Sequence, residues 1–310
     1  MNGPARIFDR RTVRLHRDRA ARRWPAPDGS RNPEFLHDAV TDQLLERLAE
    51  VREPFADCLY LGCRRGPATR RLAARSGMQR IAQADLSPAM AVAARAANRF
   101  FPALCLDEEA LPFADNSFDL VFAPLSLHWV NDLPGTLIQL NRLLRPGGLL
   151  LAALIGGGAL AELREALAEA ELAGEGGVSP RISPFADVRD GGDLLQRAGF
   201  ALPMADRERI GATYEHAFGL MMDLRDMGET NAVCARRRNF TRRATLVEAA
   251  EVYLRRFADR AGRLRATFDL IFLTGWAPAA GQPRPLRPGS AAARLADALG
   301  GKEVDPEAGR

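Results

Sequence analysis

The chain spaces glycines, acids and a histidine-tryptophan pair in a way that suits holding a nucleoside-like cofactor beside a substrate pocket. The run Leu61-Gly62-Cys63-Arg64-Arg65-Gly66 lies between a strand-like and a helix-like stretch, where glycines allow a tight bend and a close approach of backbone to a ligand. Alone, such a turn serves structure as readily as binding. Asp85 closes the next strand-like stretch in Gln83-Ala84-Asp85-Leu86-Ser87, at the offset where an acid accepts hydrogen bonds from ribose hydroxyls. Asp85 and Ser87 also suit capping of a helix that opens at Pro88, and the two roles can coexist. His128 and Trp129 follow a later strand and are candidates for lining a substrate pocket; a packing role for both is the plainer alternative. Asp223, Asp226 and Glu229 cluster at the end of a helical stretch, and Asp226 and Glu229, three apart, would share a face. Carboxylates are what a guanidinium ligand requires, although a solvated acidic helix end explains the cluster equally.

These residues need a parallel sheet to bring them together. Strand-like residues 58–61, 80–84, 103–106, 118–122 and 149–154 alternate with helical stretches. That order means βαβ units with right-handed crossovers. The expected fold is α/β: a Rossmann-like, seven-stranded, mostly parallel sheet with helices on both faces. A cover helix spans residues 35–50, and a helical insertion at about 159–260 precedes the last strands, including a β-branched and aromatic stretch at 267–276 expected at an antiparallel edge. The expected organisation is a basic arm (1–33), one domain (34–277, cofactor half 56–155) and a flexible tail (278–310). The loop 174–184, with Ser179-Pro180 and Ser183-Pro184, reads as a lid or a rigid connector.

Composition narrows the class. The chain has 310 residues and a net charge of +4, and Lys302 is its only lysine. Acids are interspersed among the arginines, so no nucleic-acid surface is expected. Cys58, Cys63, Cys105 and Cys234 stand apart, and His16, His37, His128 and His216 are dispersed, so no metal site is expected. Asp9 and Asp18 interrupt the arginine-rich start, against a transit peptide. The expected setting is the cytoplasm of a bacterium, with peripheral contact at the inner membrane.

Longer motifs carry a resemblance. Asp107-Glu108, then Leu111-Pro112-Phe113, Asn116-Ser117-Phe118-Asp119-Leu120-Val121 and Arg142-Leu143-Leu144-Arg145-Pro146-Gly147-Gly148 resemble class I S-adenosylmethionine methyltransferases. The resemblance implies S-adenosylmethionine as cofactor, held by Gly62, Cys63, Gly66, Asp85, Leu86, Asp107, Glu108 and Ser126, with an acid near Asp107 meeting the adenine amino group. Two positions depart from it: Tyr60 stands where the pattern has an acid for the cofactor's cationic end, and Arg64 where it has a glycine. A phenol is uncharged at neutral pH and an arginine adds positive charge near a sulfonium, so weakened cofactor binding is expected.

Within that superfamily, Ile7-Phe8-Asp9-Arg10, Leu125-Ser126-Leu127-His128-Trp129-Val130-Asn131-Asp132-Leu133-Pro134, Ser179-Pro180-Arg181-Ile182-Ser183-Pro184-Phe185, Asp223-Leu224-Arg225-Asp226-Met227-Gly228-Glu229-Thr230-Asn231 and Gly275-Trp276 resemble bacterial relatives of the mitochondrial complex I assembly factor. That group is similar in turn to malonyl-carrier-protein methyltransferases. The resemblance implies hydroxylation of an arginine on an iron-sulfur subunit of respiratory complex I. Two alternatives stay open. One is methyl transfer to a small acid or carrier-bound thioester, which needs alignment more than acid-base residues. The other is a non-catalytic assembly chaperone with a degenerate cofactor site, which Tyr60 and Arg64 favour.

Overall fold

Five consecutive buried residues, Asp57–Leu61, form β1, from which the sheet extends both ways. Strands β2 (Arg80–Asp85) and β4 (Phe118–Pro124) flank β1 in parallel, β3 (Ala103–Cys105) continues beyond β2, and β5 (Leu144–Ile155) continues beyond β4. Two antiparallel strands, β6 (Ala201–Tyr214) and β7 (Leu264–Trp276), complete the order β3-β2-β1-β4-β5-β7-β6. This is the seven-stranded, mostly parallel arrangement expected. The computed structural model describes residues 6–23, 32–183 and 188–282. By internal contacts the chain divides into residues 1–278 and 279–310, and the described helices and strands lie in the first unit. Most of the stretch read as a tail therefore lies outside the described residues, as do residues 24–31 of the arm and 184–187 of the Ser-Pro loop.

The helices are α1 (Arg10–Arg22), α2 (Phe35–Glu50), α3 (Thr69–Ala73), α4 (Pro88–Ala97), α5 (Leu133–Leu143), α6 (Ala161–Glu175), α7 (Val188–Arg197), α8 (Ala217–Met227) and α9 (Arg243–Phe257). One core cluster joins Leu36 and Leu44 of α2 and Leu163 of α6 to Phe122, Phe268 and Phe272 of the sheet. The other joins Leu137 and Leu140 of α5 and Leu195 to Val121 and Leu150. Alternating crossovers thus bury both sheet faces, which fixes the strand ends that carry the site. Among the described residues no helix is long and apolar enough to cross a membrane.

Three expectations need correction. The insertion is not wholly helical, because β6 runs for 14 residues inside it. Its residues alternate between half-buried and exposed, none is fully buried, and charges fall among them, so the strand carries no apolar period to read. The stretch at 267–276 is not the edge: β7 is interior, and the weakly apolar β6 takes the edge, where charges guard unpaired backbone. The stretch read as a basic arm contains a helix, α1, capped by Asp9, which accepts from Thr12 N at 3.1 Å.

Ser87 caps α4 by accepting from Met90 N at 3.1 Å, while its hydroxyl donates to Asp18 of α1 at 2.5 Å. Ser87→Ala is expected to lower stability by about 1–2 kcal/mol, read as a shift of the urea midpoint; an unchanged midpoint would show that neither bond contributes.

Candidate cofactor and substrate site

Parallel strands deliver their carboxyl ends to one edge of the sheet, where ligands bind in doubly wound folds. β1 runs into the turn 62–66, β2 ends at Asp85, β3 leads to Asp107 and Glu108, and β4 leads to a 3-10 turn, Leu127–Trp129. Gly62 has φ +67°, and a Cβ there would lie 2.3 Å from Cβ of Ser126. Only glycine lets these two loops meet. Arg64 (φ 51°) and Leu125 (φ 49°) also adopt the left-handed region, a cost that persists where surrounding contacts impose it.

The acids at this edge are already engaged. Asp85 is fully buried: Oδ2 accepts from Arg64 N at 3.0 Å and Oδ1 from Ser87 N at 2.8 Å. Arg17, reaching in from α1, places Nη1 3.5 Å from Asp85 Oδ1 and donates to Glu108 Oε1 at 2.9 Å. Arg10, two turns earlier on the same face of α1, binds the other oxygen of Glu108, donates to Asp107 Oδ1 at 2.6 Å, and reaches Trp129 O at 3.1 Å. Burial opposes charge on all three buried groups. The adjacent carboxylates still raise Arg17 above its ordinary value, and Arg17 and Arg10 hold the Glu108 carboxyl below its own. For Asp85 burial wins and its carboxyl is pushed up.

A second centre forms where α8 ends. Gly228 takes the left-handed C-cap with φ 80°, which turns Glu229 off the helix axis. Glu229 is therefore not on a helical face with Asp226, and it is not solvated; its side chain is 7% exposed. Its Oε2 accepts from His128 Nε2 at 3.0 Å and from Trp129 Nε1 at 2.8 Å. Burial works against the carboxylate, but His128, Arg64 and Arg17 bring its pKa down to about 2. Asp226 instead pairs with Arg23 at 3.0 Å, and Asp223 is buried. Beyond Glu229 opens a cavity of about 390 Å³ with an apolar floor including Leu163, Leu224 and Phe268 and with Arg19, Arg181, Arg225, Arg236 and Arg237 around it.

Motifs far apart in the chain converge here. Phe8 and Asn131 exchange hydrogen bonds (2.7 and 3.2 Å), Asp9 N donates to Ala232 O at 2.8 Å, and Arg236 meets Asp9 at 3.2 Å. Leu86, expected against the cofactor, packs with Phe8, Val13 and Trp129. Cys63 and Ser126 are fully buried, and Gly66 lies against the side chains of Gln83 and Asn98. Among the described residues no group of three His, Cys, Asp or Glu side chains is arranged to hold a metal ion.

Comparison with known proteins agrees with this geometry. A family model described as a methyltransferase domain matches residues 59–152. Arginine-hydroxylase NDUFAF5, mitochondrial, of Danio rerio is 36% identical over 296 residues, covering 94% of this chain and 89% of that protein. The chain belongs to the class I S-adenosylmethionine-dependent methyltransferase superfamily. Within it, this enzyme is a methyltransferase-fold protein of the NDUFAF5 type. It is also 35% identical over 277 residues to malonyl-[acyl-carrier protein] O-methyltransferase of Halorhodospira halophila, covering 88% of this chain and 90% of the relative. The solved [4+2]-cyclase SpnF shares the fold, with TM-score 0.55 and 18% identity, over 90% of this chain and 100% of SpnF. A cyclase on this scaffold illustrates that the fold does not dictate the reaction.

The fit of an adenosyl cofactor differs between its two ends. The glycine turn and the acids Asp85, Asp107 and Glu108 form a frame suited to ribose and adenine, and this frame would hold the methyl-donor cofactor that the superfamily uses. At the other end, Tyr60 is fully buried, edge-on to Phe122 at 5.5 Å, and burial pushes its phenol well above its ordinary range. Arg64, 4% exposed, donates to Glu34 Oε1 at 3.0 Å and to Met227 O at 2.8 Å.

Arg17 and Glu34 were not singled out in the sequence, and Arg10 entered only as the end of the Ile7-Phe8-Asp9-Arg10 motif. The usable signal for α1 was Asp9 as a cap followed by Val13, Arg17 and Ala20 at helical spacing, the residues α1 buries.

Proposed function

We propose that this protein modifies an arginine of a respiratory complex I iron-sulfur subunit during assembly, by hydroxylation. In that step a peroxide-class oxygen donor, or dioxygen with a two-electron reductant, inserts one oxygen atom into a C–H bond and its second oxygen leaves as water. The observation that carries the reading is end-to-end similarity to the NDUFAF5 arginine-hydroxylases, 36% identity over 94% of this chain. The convergence of Phe8, Asp9, Asn131, Glu229 and Ala232 on one centre supports it, because the resembling motifs meet where a ligand would sit. His128 and Trp129, oriented by Glu229, line the substrate side in this reading. The proposed setting is the bacterial cytoplasm, peripheral to the inner membrane where complex I is assembled.

Deleting the gene and comparing arginine-containing peptides of the complex I iron-sulfur subunits by mass spectrometry tests this. The expected outcome is loss of one oxygen mass from one arginine, restored by complementation. Unchanged peptides would count against these subunits as substrates.

A second reading, methyl transfer to an anionic carrier-bound thioester, is favoured by the cavity wall. Five arginines line the cavity together with its apolar residues; Arg181, Arg236 and Arg237 pair with Glu171, Asp9 and Glu175, while Arg19 and Arg225 add positive charge that attracts a carboxylate and repels a substrate arginine. Formation of S-adenosylhomocysteine dependent on a malonyl carrier protein would support it and count against the first.

A further inference from the structure

Two of the arginines of α1 reach the acids at which an adenosyl cofactor would be received. Arg17 is 2% exposed and lies between Asp85 and Glu108, while Arg10 bridges Glu108 and Asp107. We propose that Arg10 and Arg17 are built-in competitors of the cofactor: their guanidinium groups hold the carboxylates that would otherwise meet its ribose and adenine, so that cofactor binding and these ion pairs exclude one another. The proposal goes beyond the reading given for function and holds whichever substrate is modified.

The chemistry of the exchange favours the internal partners. A carboxylate bonds more strongly to a guanidinium than to the neutral hydroxyls and amino group of an adenosine, and the difference grows away from water. A displaced guanidinium must find other acceptors, because an unpaired carboxylate or cation left buried is costly. At the opposite end Tyr60 carries no charge and Arg64 is already paired with Glu34, so among the described residues no free carboxylate there draws the cationic end of a cofactor in. The closed state is nevertheless imperfect. Arg17 Nη2 is buried without a hydrogen-bond partner, an uncompensated desolvation cost that favours release of Arg17.

α1 is placed so that release propagates. Asp18, next to Arg17, ties it to the α4 cap through Ser87. Arg19 donates to Thr230 at 3.1 Å beside Glu229, and Leu86, directly after Asp85, packs on Val13 of α1. Freeing Arg10 and Arg17 therefore removes the polar anchors of the helix on the cofactor side.

Isothermal titration of the full chain with S-adenosylhomocysteine tests the proposal on wild type, Arg10→Gln, Arg17→Gln and Arg17→Lys. A competitor that keeps the site closed most of the time raises the apparent Kd by the reciprocal of the open fraction. Arg10→Gln and Arg17→Gln are expected to bind about tenfold tighter than wild type, whereas Arg17→Lys, which keeps the cation, stays near wild type. Arg10 is the milder site, its side chain being 14% exposed, and it keeps the test valid if Arg17→Gln does not fold. Amide exchange adds an independent readout in whichever forms bind: residues 10–22 are expected to exchange faster with ligand than without. Three outcomes would overturn the proposal: equal affinity of wild type and the folded Gln variants, no binding by any of them, or greater protection of α1 when ligand binds.

Discussion

Glu229→Ala is expected to destabilise the fold by about 3–5 kcal/mol, the cost of removing one partner from a buried charged network. The substitution leaves the Trp129 indole N–H and the His128 ring without their shared acceptor, and it removes one of the negative charges near Arg64 and Arg17, whose direct partners remain Glu34 and Glu108. The pH dependence separates this network effect from a packing defect. Glu229 has its carboxyl depressed from an ordinary 4.5 to about 2. Its contribution is therefore fully present above about pH 4.5 and is lost as pH falls from there through about 2. The size of the depression corresponds to about 3 kcal/mol, an order-of-magnitude match to the mutational expectation. Urea unfolding of wild type and Glu229→Gln is expected to show a gap that is constant above about pH 5 and closes toward about pH 2. A gap that persists unchanged into acid would mean that the carboxylate charge contributes nothing and that the residue acts by shape alone.

The parallel half of the fold was legible because its signals are local. The glycine turn, the acids at the ends of β2 and β3, and the alternation of short apolar strands with helices each follow from backbone chemistry within a few residues. Strand β6 was not legible: its stability comes from pairing with β7 over most of its length, and that pairing leaves no trace in the hydrophobic pattern of an edge strand. Helix α1 was hidden for a related reason. Its buried face is Val13, Arg17 and Ala20, and an arginine there satisfies the helical period only if its charge is neutralised by acids some 70–90 residues away, which sequence spacing does not display. Glu229 illustrates a misread local signal. Placing it with Asp226 on a helical face ignored Gly228 between them, and a glycine at the end of a helical run marks a left-handed stop; the stop is what aims Glu229 at His128 and Trp129.

Arg64→Gly addresses the end of the site where the family pattern fails. Arg64 is buried and bound to Glu34 and Met227 O, so its loss is expected to lower stability. Two features limit the loss. Glu34 keeps Arg65, whose Nη2 lies 2.6 Å from Oε2, and glycine relieves the positive φ of 51° at this position, recovering about 1 kcal/mol. The net expectation is a loss of about 2 kcal/mol. The backbone bond from residue 64 N to Asp85 Oδ2 needs no side chain, so the Asp85 carboxylate stays held. What changes is electrostatic: a cation leaves the buried space that would face a sulfonium, and Glu34 and Glu229 gain relative weight. S-adenosylhomocysteine lacks the sulfonium, so S-adenosylmethionine is the informative ligand. Its affinity is expected to rise about tenfold or more in Arg64→Gly, and to rise more than that of S-adenosylhomocysteine. Equal gains for the two ligands would assign the effect to space rather than charge. No gain for either, in a chain that still unfolds cooperatively, would mean that Arg64 does not limit cofactor binding at all.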